Sequence, residues 1–560
     1  MSRRLRAALA ALGASALLAG CVSLPRSGPV TASQPDLPAT QGIGLFATGP
    51  QPGAEPEAIV SGFLTASAAG YSDDFLVARQ YLAGPAAQTW QPLEQVRVFA
   101  DSQTPRYERT PDGAVRLSVA GQASVDSAGR YTESASQSVI ETSFTLARNA
   151  AGEWRIIDLD DGVLLSAASF SSVYVESTLH FLAPDHAAFV PEVRWFPQQN
   201  LATSLVRGLL QGPSPWLEPG VVTMVPTGTR MTVESVSVAD GVAQVDLSAD
   251  SLGAEPDQRA LFVAQLERTL RDVPGVQQIQ VTAAGAPYEV TEAVPELPAY
   301  PYTSTNLTVV ADGTLAGVVD GEVVPMAAAD QLAGITPRFP AVGYDGGPTV
   351  FLDGPDRLLA APAKDAPPVE LAQGKDLVGP TVDRRGWVWT TPAANAGRLI
   401  AVRADGTRTD VGAAWLAGGT VKALRISRDG ARAVVVWQSG GSTVIDAAPV
   451  VRNVDGSPRS LAEPVRIGER VDDASQVVWV DERTVAVLGT SGGDAAPAVH
   501  LVPIGGPTKR LPVVEGAATI TAGRGDRSIM LGTESGRVYE RNGAAWRPVY
   551  TDAYYPTLPG

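Results

Sequence analysis

The only thiol of this 560-residue chain is Cys21, at the end of Leu18-Ala19-Gly20-Cys21. A thiolate is the softest nucleophile a chain can offer, suited to taking up an alkyl or acyl group. Ser491 lies in Gly489-Thr490-Ser491-Gly492-Gly493, with Asp494 and His500 downstream. The spacing matches G-x-S-x-G, but a nucleophile elbow needs a strand before the serine and a helix after it. A strand pattern precedes Ser491, whereas Asp494-Ala495-Ala496-Pro497 leads into another strand, and Asp494 stands too near the serine for a triad. The run is therefore taken as a glycine-rich turn. His180, Asp185 and His186 are types that ligate zinc, yet strand and loop histidines more often act as plain polar groups. No H-E-x-x-H, Ser-x-x-Lys, P-loop or Gly-rich strand-to-helix turn is present. The expectation is a protein that is not an enzyme, with no catalytic residue, cofactor or metal.

The element that positions Cys21 is a leader. Arg3, Arg4 and Arg6 precede an apolar run from Ala7 to Leu18, the charged and apolar regions of a secretory signal. The run is roughly 12 residues, short of the ~20 that span a bilayer. Leader, small Ala19 and Gly20, and cysteine together resemble a bacterial lipobox. That resemblance implies cleavage before Cys21 and its acylation with diacylglycerol, and two acyl chains anchor stably where one does not. The plainer alternative is an ordinary signal cut after Ala14-Ser15-Ala16. One cysteine excludes an intramolecular disulfide framework. The formal charge of −16, more negative once the leader is lost, disfavours nucleic acid and anionic headgroups. Lipid, not a basic patch, must hold the chain to a membrane.

Behind the leader (residues 1–20), residues 21–54 form a tether rich in proline, including Pro25, Pro29, Pro35, Pro38, Pro50 and Pro52, a composition that stays extended. Residues 55–171 are expected to be α+β. Ile59, Val60, Phe63 and Leu64 recur at helical spacing after Pro56, and a second helix is expected from Asp73 to Leu82. Alternation at Val115–Val119 and Ile140–Leu146, with Trp154–Asp158 as the last strand, predicts a curved antiparallel sheet. This pattern resembles the cystatin-like or NTF2-like domains of some surface proteins; a spacing role is the plainer alternative to a ligand-holding cone.

Residues 172–290 carry strands around Leu179-His180-Phe181 and Pro191–Phe196, then a helix from Leu201 ending in Leu209-Leu210-Gln211-Gly212-Pro213. Asp240-Gly241 between Met231–Val238 and Val242–Leu247 predicts a hairpin, and a helix from Asp257 to Arg271 precedes a strand at Val276–Val281. With Val225-Pro226-Thr227-Gly228-Thr229, Val245-Asp246-Leu247-Ser248, Gln265 and Thr269-Leu270, this order resembles a GerMN domain. That family implies a compact α+β fold without enzymatic activity and suggests adhesion or partner recognition.

A linker at 291–302 leads to residues 303–560, where an apolar strand followed by an acidic turn recurs at Asp312, Asp345, Asp383, Asp429, Asp481 and Asp526. The intervals of 33, 38, 46, 52 and 45 residues bracket the ~40–50 of a four-stranded propeller blade. Six blades fill the span; the alternative is a pair of β-sandwiches. Trp387, Trp389, Trp437 and Trp479 fall on repeat strands. They could stack on sugars at a channel mouth, but packing between blades is the reading adopted. The acidic turn residues are likewise taken as turn hydrogen-bonders, not ligands.

The order of lipobox, tether, GerMN-like unit and propeller resembles the actinobacterial LpqB lipoprotein family over nearly the whole mature chain. The resemblance implies a lipid-anchored protein on the extracytoplasmic face of the cell membrane. It would bind the extracytoplasmic domain of the sensor histidine kinase of an MtrA–MtrB-type two-component system, affecting envelope homeostasis and division. The alternative is a surface lipoprotein that binds cell-wall glycan or lipid. Cys21, as the lipidation site, is the one functional residue assigned.

Overall fold

The computed structural model describes residues 47–298, 306–326, 329–362 and 366–560. Cys21, its leader and most of the expected tether lie outside the described residues. No helix among the described residues is long and apolar enough to cross a membrane.

The helix Pro56–Ala69 starts on a proline, whose fixed φ suits the first helical position. It buries Ile59, Val60, Phe63 and Ala66, one stripe at i, i+3 and i+4 spacing. Phe63 sits edge-on to Trp90 at 5.1 Å and to Phe144 at 6.2 Å. Beneath it lies a seven-stranded sheet organised on the strand Ala114–Asp126, which pairs with four others along its length. Two expectations fail here. The helix expected over 73–82 shrinks to Leu76–Arg79, because Phe75 turns left-handed at φ 60° and buries its ring over Gly70; a short helix at Gly84–Thr89 follows. The sheet is mixed, not antiparallel, and Trp154–Asp158 is not its last strand. Gln95–Phe99 runs parallel to Val163–Ser166, whose Val163, Leu164 and Leu165 are all buried. A strand buried on both faces shows no alternation to read.

The next unit pairs Tyr174–Leu182 with Phe189–Pro197 in one long hairpin. Helices Leu201–Gln211 and Pro256–Leu270 pack Leu205, Leu209, Phe262 and Leu266 onto Leu179, Phe181 and Leu182. The sequence motif residues clamp the helix to the hairpin. Gln265 accepts from Met224 N at 2.7 Å and donates to His180 O at 2.8 Å, while Thr269 Oγ1 accepts from His180 N at 3.2 Å. Asp240 (φ 51°) and Gly241 (φ 80°) make the tight turn the pair predicts. The strand before it is only Ser237–Ala239, shorter than expected. Met231 and Thr232 still touch the neighbouring strand, through a bridge to Leu247 and Thr232 N donating to Asp246 O, but Val233 is exposed and the ladder breaks before Ser237.

From Thr308 onward the described chain is β-rich and propeller-like. Successive antiparallel sheets span Pro337–Gln373, Asp473–Arg510 and Ala517–Tyr550. A nine-stranded sheet spans Thr381–Ile467, its halves joined where Gly412 pairs parallel with Ser460. The sheet of Thr308–Ala311, Thr314–Val319 and Glu322–Pro325 takes its fourth strand, Ala553–Thr557, from the other end of the run. Asp345, Asp383, Asp429, Asp481 and Asp526 fall between the first and second strands of their repeats. Asp312 instead follows the second strand of its sheet, because Ala553–Thr557 supplies the first. That offset explains the short first interval.

Candidate functional site

Ser491 occupies the turn between strands Thr484–Thr490 and Ala498–Pro503. The fold brings His500 to it, Nε2 to Oγ at 3.1 Å, a contact that spacing did not reveal. A serine with a base needs two more parts. The acid should hold the imidazole, but Asp494 accepts from Ser491 N and Oγ at 3.1 and 3.2 Å and pairs with Arg510. His500 Nδ1 is buried with no hydrogen-bond partner among the described residues. The oxyanion donor should be the amide after the serine. Gly492 N instead donates to Asp472 Oδ2 at 2.7 Å, placing a carboxylate where developing negative charge would need a donor. The arrangement closes a turn.

His180, Asp185 and His186 do not converge. His180 is buried edge-on to Phe189, and burial holds its imidazole well below the ordinary range. His186 is exposed in the hairpin turn at φ 56°. Asp185 is held by two arginines from the β-rich region, Arg384 Nη2 at 2.6 Å and Arg385 Nη2 at 2.5 Å. Burial pushes its carboxyl up, but the hydrogen bond and charge of Arg384 and the charge of Arg385 outweigh it, and the net shift is downward. Among the described residues no group of three or more His, Cys, Asp or Glu is placed to hold a metal.

The four tryptophans are buried. Trp389 Nε1 donates to Asp383 Oδ2 at 3.0 Å, Trp437 Nε1 to Asp446 Oδ2 at 2.7 Å, and Trp479 Nε1 to Arg425 O at 3.3 Å. The Arg403 guanidinium lies over Trp387 at 4.8 Å. They are packing residues and offer no open face to a sugar. Turn aspartates use their carboxylates on backbone amides. Asp383 Oδ1 accepts from Arg385 N and Trp387 N, Asp429 Oδ1 from Ala431 N, and Asp481 Oδ1 from Arg483 N and Thr484 N.

What the structure does bring together is a three-way junction. Glu192 and Arg194, both on Phe189–Pro197, form a buried pair at 3.0 Å. Glu192 also accepts from Ser214 N at 3.0 Å, and Arg194 Nη1 reaches Ala128 O in the first sheet's turn at 2.7 Å. Arg432, from the β-rich region, is buried between Asp429, Glu482 O and Pro191 O, with its guanidinium 4.9 Å from the Trp479 ring. Trp195 Nε1 donates to Gly505 O at 2.8 Å, Thr508 N to Glu133 Oε1 at 2.9 Å, and Arg483 Nη1 to Glu176 Oε1 at 3.1 Å. Two glycines allow the close approach. A Cβ on Gly129 would meet Trp195 O at 2.8 Å, and one on Gly220 would meet Pro449 Cβ at 2.7 Å.

Between these contacts lies a cavity of about 380 Å³. Trp216, Ile467 and Ile504 supply apolar wall, and Arg130, Glu469 and Arg483 supply charge. An apolar floor with a few charged groups suits binding; the lining brings no nucleophile beside a base. Sequence reading missed this site because its residues come from segments far apart in the chain, and none forms a local motif.

Three family models match the chain. Residues 49–171 match one described as the N-terminal domain of lipoprotein LpqB, 178–289 one described as sporulation and spore germination, and 313–559 one described as the LpqB beta-propeller domain. Lipoprotein LpqB of Thermobifida fusca (strain YX) is 28% identical over 638 aligned residues, covering 100% of this chain and 99% of that one. Lipoprotein LpqB of Bifidobacterium longum (strain NCC 2705) is 28% identical over 491 residues, covering 83% and 81%. Among solved structures, the tandem GerMN domains of GerM from Bacillus subtilis align at 20% identity over 20% of this chain and 40% of that one, with a TM-score of 0.18.

Proposed function

Since the chain belongs to the LpqB lipoprotein family, we propose that it is a membrane-anchored lipoprotein that binds and modulates a sensor kinase of the MtrA–MtrB type. Its anchor is lipid on Cys21, at the extracytoplasmic face of the cell membrane. The Pro-rich tether expected over residues 21–54, whose last residues dock on the first unit through Tyr81 Oη donating to Thr48 O and Gly53 N donating to Glu153, lifts the folded units clear of the headgroups. The nine-stranded sheet counts as two blades, giving a six-bladed propeller.

The observation that carries the reading is the junction. Units that met only through linkers would present a partner with independent, loosely oriented surfaces. Here buried ion pairs and hydrogen bonds lock units from 128, 192–194 and 432 against one another. A stiff body on a lipid leash is confined to the plane of its partner, and confinement raises effective concentration. A weak contact then biases the kinase in proportion to its preference for one conformational state. The junction cavity, amphipathic and built from more than one unit, is the surface proposed for that contact. The glycan-binding alternative loses its motivating side chains, since Trp387 and Trp389 are buried.

The test is capture of the kinase's extracytoplasmic domain by the lipidated chain in a bilayer. Retention that falls when Trp216→Ala or Ile504→Glu alters the cavity wall supports the proposal. Absence of any association in the bilayer, with the chain shown to be anchored, refutes it. Cys21→Ser should release the chain from membranes; continued retention would refute the anchor.

A further inference from the structure

The first strands of the β-rich repeats line a narrow central channel. Pro340, Ile426, Val478, Ile520 and Leu558 contribute to one chamber of about 30 Å³, which also holds Tyr344 and Arg428. A second chamber of about 150 Å³ opens at the other end, between Phe339, Leu377, Val378, Ala423, Lys422 and Gln476. Arg425 is common to both linings.

Among the described residues no carboxylate forms an ion pair with Arg425. Its Nη1 donates to the neighbouring Leu424 O at 2.8 Å and, at a long 3.5 Å, to Gly379 O. Neither acceptor carries a formal charge. The other cations at the channel are otherwise engaged. Lys422 Nζ is paired with Asp473 at 2.6 Å, and Arg428 donates to Pro559 O and Ala522 O. The one carboxylate on the wider chamber's lining, Asp376, sits at the exposed rim and forms no ion pair with Arg425. Burial lowers the Arg425 guanidinium to about 10, and no neighbouring charge offsets the effect. It therefore remains protonated at neutral pH.

Arg425 is half-buried, charges withdrawn from water are ordinarily paired, and the carboxylates buried nearby are engaged elsewhere. Asp383, Asp429 and Asp446 each already pair with an arginine. A guanidinium presents a planar fork of donors matched to an oxyanion, and Arg425 directs at most one of its terminal nitrogens to the protein. The walls beside it mix polar groups with the apolar side chains of Phe339, Leu377, Val378 and Ala423, and the site is partly withdrawn from solvent, so an ion pair formed there is screened less than one at the surface. The wider chamber is several times the ~30 Å³ share of a water molecule, enough for one small oxyanion group.

We propose that the channel binds a small oxyanion, a carboxylate or a phosphate group, on the guanidinium of Arg425, entering past Phe339 and Gln476. The inference is independent of the kinase reading: it concerns the other end of the β-rich region and stands or falls without it.

The experiment is calorimetric titration of the full chain, in chloride-free buffer, with inorganic phosphate and separately with acetate. Saturable millimolar or tighter binding of at least one is expected, weakened at least ten-fold by Arg425→Gln. Gln476→Glu, a partly exposed position that does not threaten folding, adds negative charge at the entrance and should weaken binding several-fold, more for phosphate than for acetate. Phosphate-only or acetate-only binding identifies which source the site prefers. Should Arg425→Gln not fold, Gln476→Glu decides alone. Absence of saturable binding to the unmodified chain, or binding indifferent to the variants that fold, overturns the proposal.

Discussion

Glu192 and Arg194 offer the sharpest perturbation. Both side chains are almost fully buried, at 4% and 3% exposure. Glu192→Leu would leave the Arg194 charge without its carboxylate and the Ser214 amide without its acceptor. Removing one partner of a buried pair costs about 3–5 kcal/mol, mainly the penalty of the stranded charge. Combining it with Arg194→Met removes that stranded charge and replaces the pair with apolar volume. The double variant still forfeits the Ala128 and Ser214 hydrogen bonds, each worth about 1–1.5 kcal/mol. It should therefore be about 1–2 kcal/mol more stable than Glu192→Leu alone, taking these principles together. Urea unfolding followed by the fluorescence of the chain's ten tryptophans, Trp195 and Trp216 among them, reports the change. A chain of several units need not unfold in two states, so the transition sensed by these indoles is the one compared. A single variant within about 1 kcal/mol of the parent, against the cost quoted for buried pairs, or a double variant no better than the single, would refute the reasoning.

Burial holds both His180 and His500 below the usual histidine value. The unfolded chain takes up protons near pH 6.5 that the folded chain refuses, so stability is full above that pH and falls as pH drops below it. The slope is at most about 1.4 kcal/mol per pH unit for a histidine that stays neutral in the fold, and His500→Gln should remove part of the loss between pH 6.5 and 5 in denaturant titrations, His180 keeping the rest. Trp437→Phe removes the donor to Asp446, which keeps Arg466 at 2.7 Å; a cost of about 1–3 kcal/mol by thermal unfolding is expected. Asp185→Ala strands Arg384 and Arg385 at the contact between units. Amide exchange across Ala183–Ala188 should quicken while exchange deep in the sheets stays unchanged; no change would remove the pair's role.

Much of the local architecture was legible because it is written in local periodicity. The stripe of Ile59, Val60 and Phe63 and the Asp240-Gly241 turn are decided within a few residues; Leu64, read with them, is only half-buried. Three of the acidic turns were legible for the same reason: the carboxylates of Asp383, Asp429 and Asp481 bond amides two to four positions on. What was illegible is long-range. The Val163–Ser166 strand is buried on both faces and carries no alternation. Phe75 was counted as a helix residue until its ring had to cover Gly70. Asp312 looked equivalent to the other turn aspartates, although a strand from the far end of the run shifts its place in the sheet. The contacts between units are the extreme case, since Asp185 meets Arg384 only after two separate units have folded. Ser491 and His500 sit nine residues apart, yet only the strand register decides that they touch.

Ala553–Thr557 completes a sheet begun by Thr308–Ala311, with nearly the whole ring between them. Until that strand arrives, the earlier strands wait with a bare β edge, a template for errant pairing. Joining segments so distant is also slow. A frameshift or proteolytic nick near the carboxyl end would therefore unlatch the earliest sheet of the ring, a lesion felt hundreds of residues upstream of the damage. Ala553–Thr557 is the clasp, and quality control has most to watch for in the moments before it snaps shut.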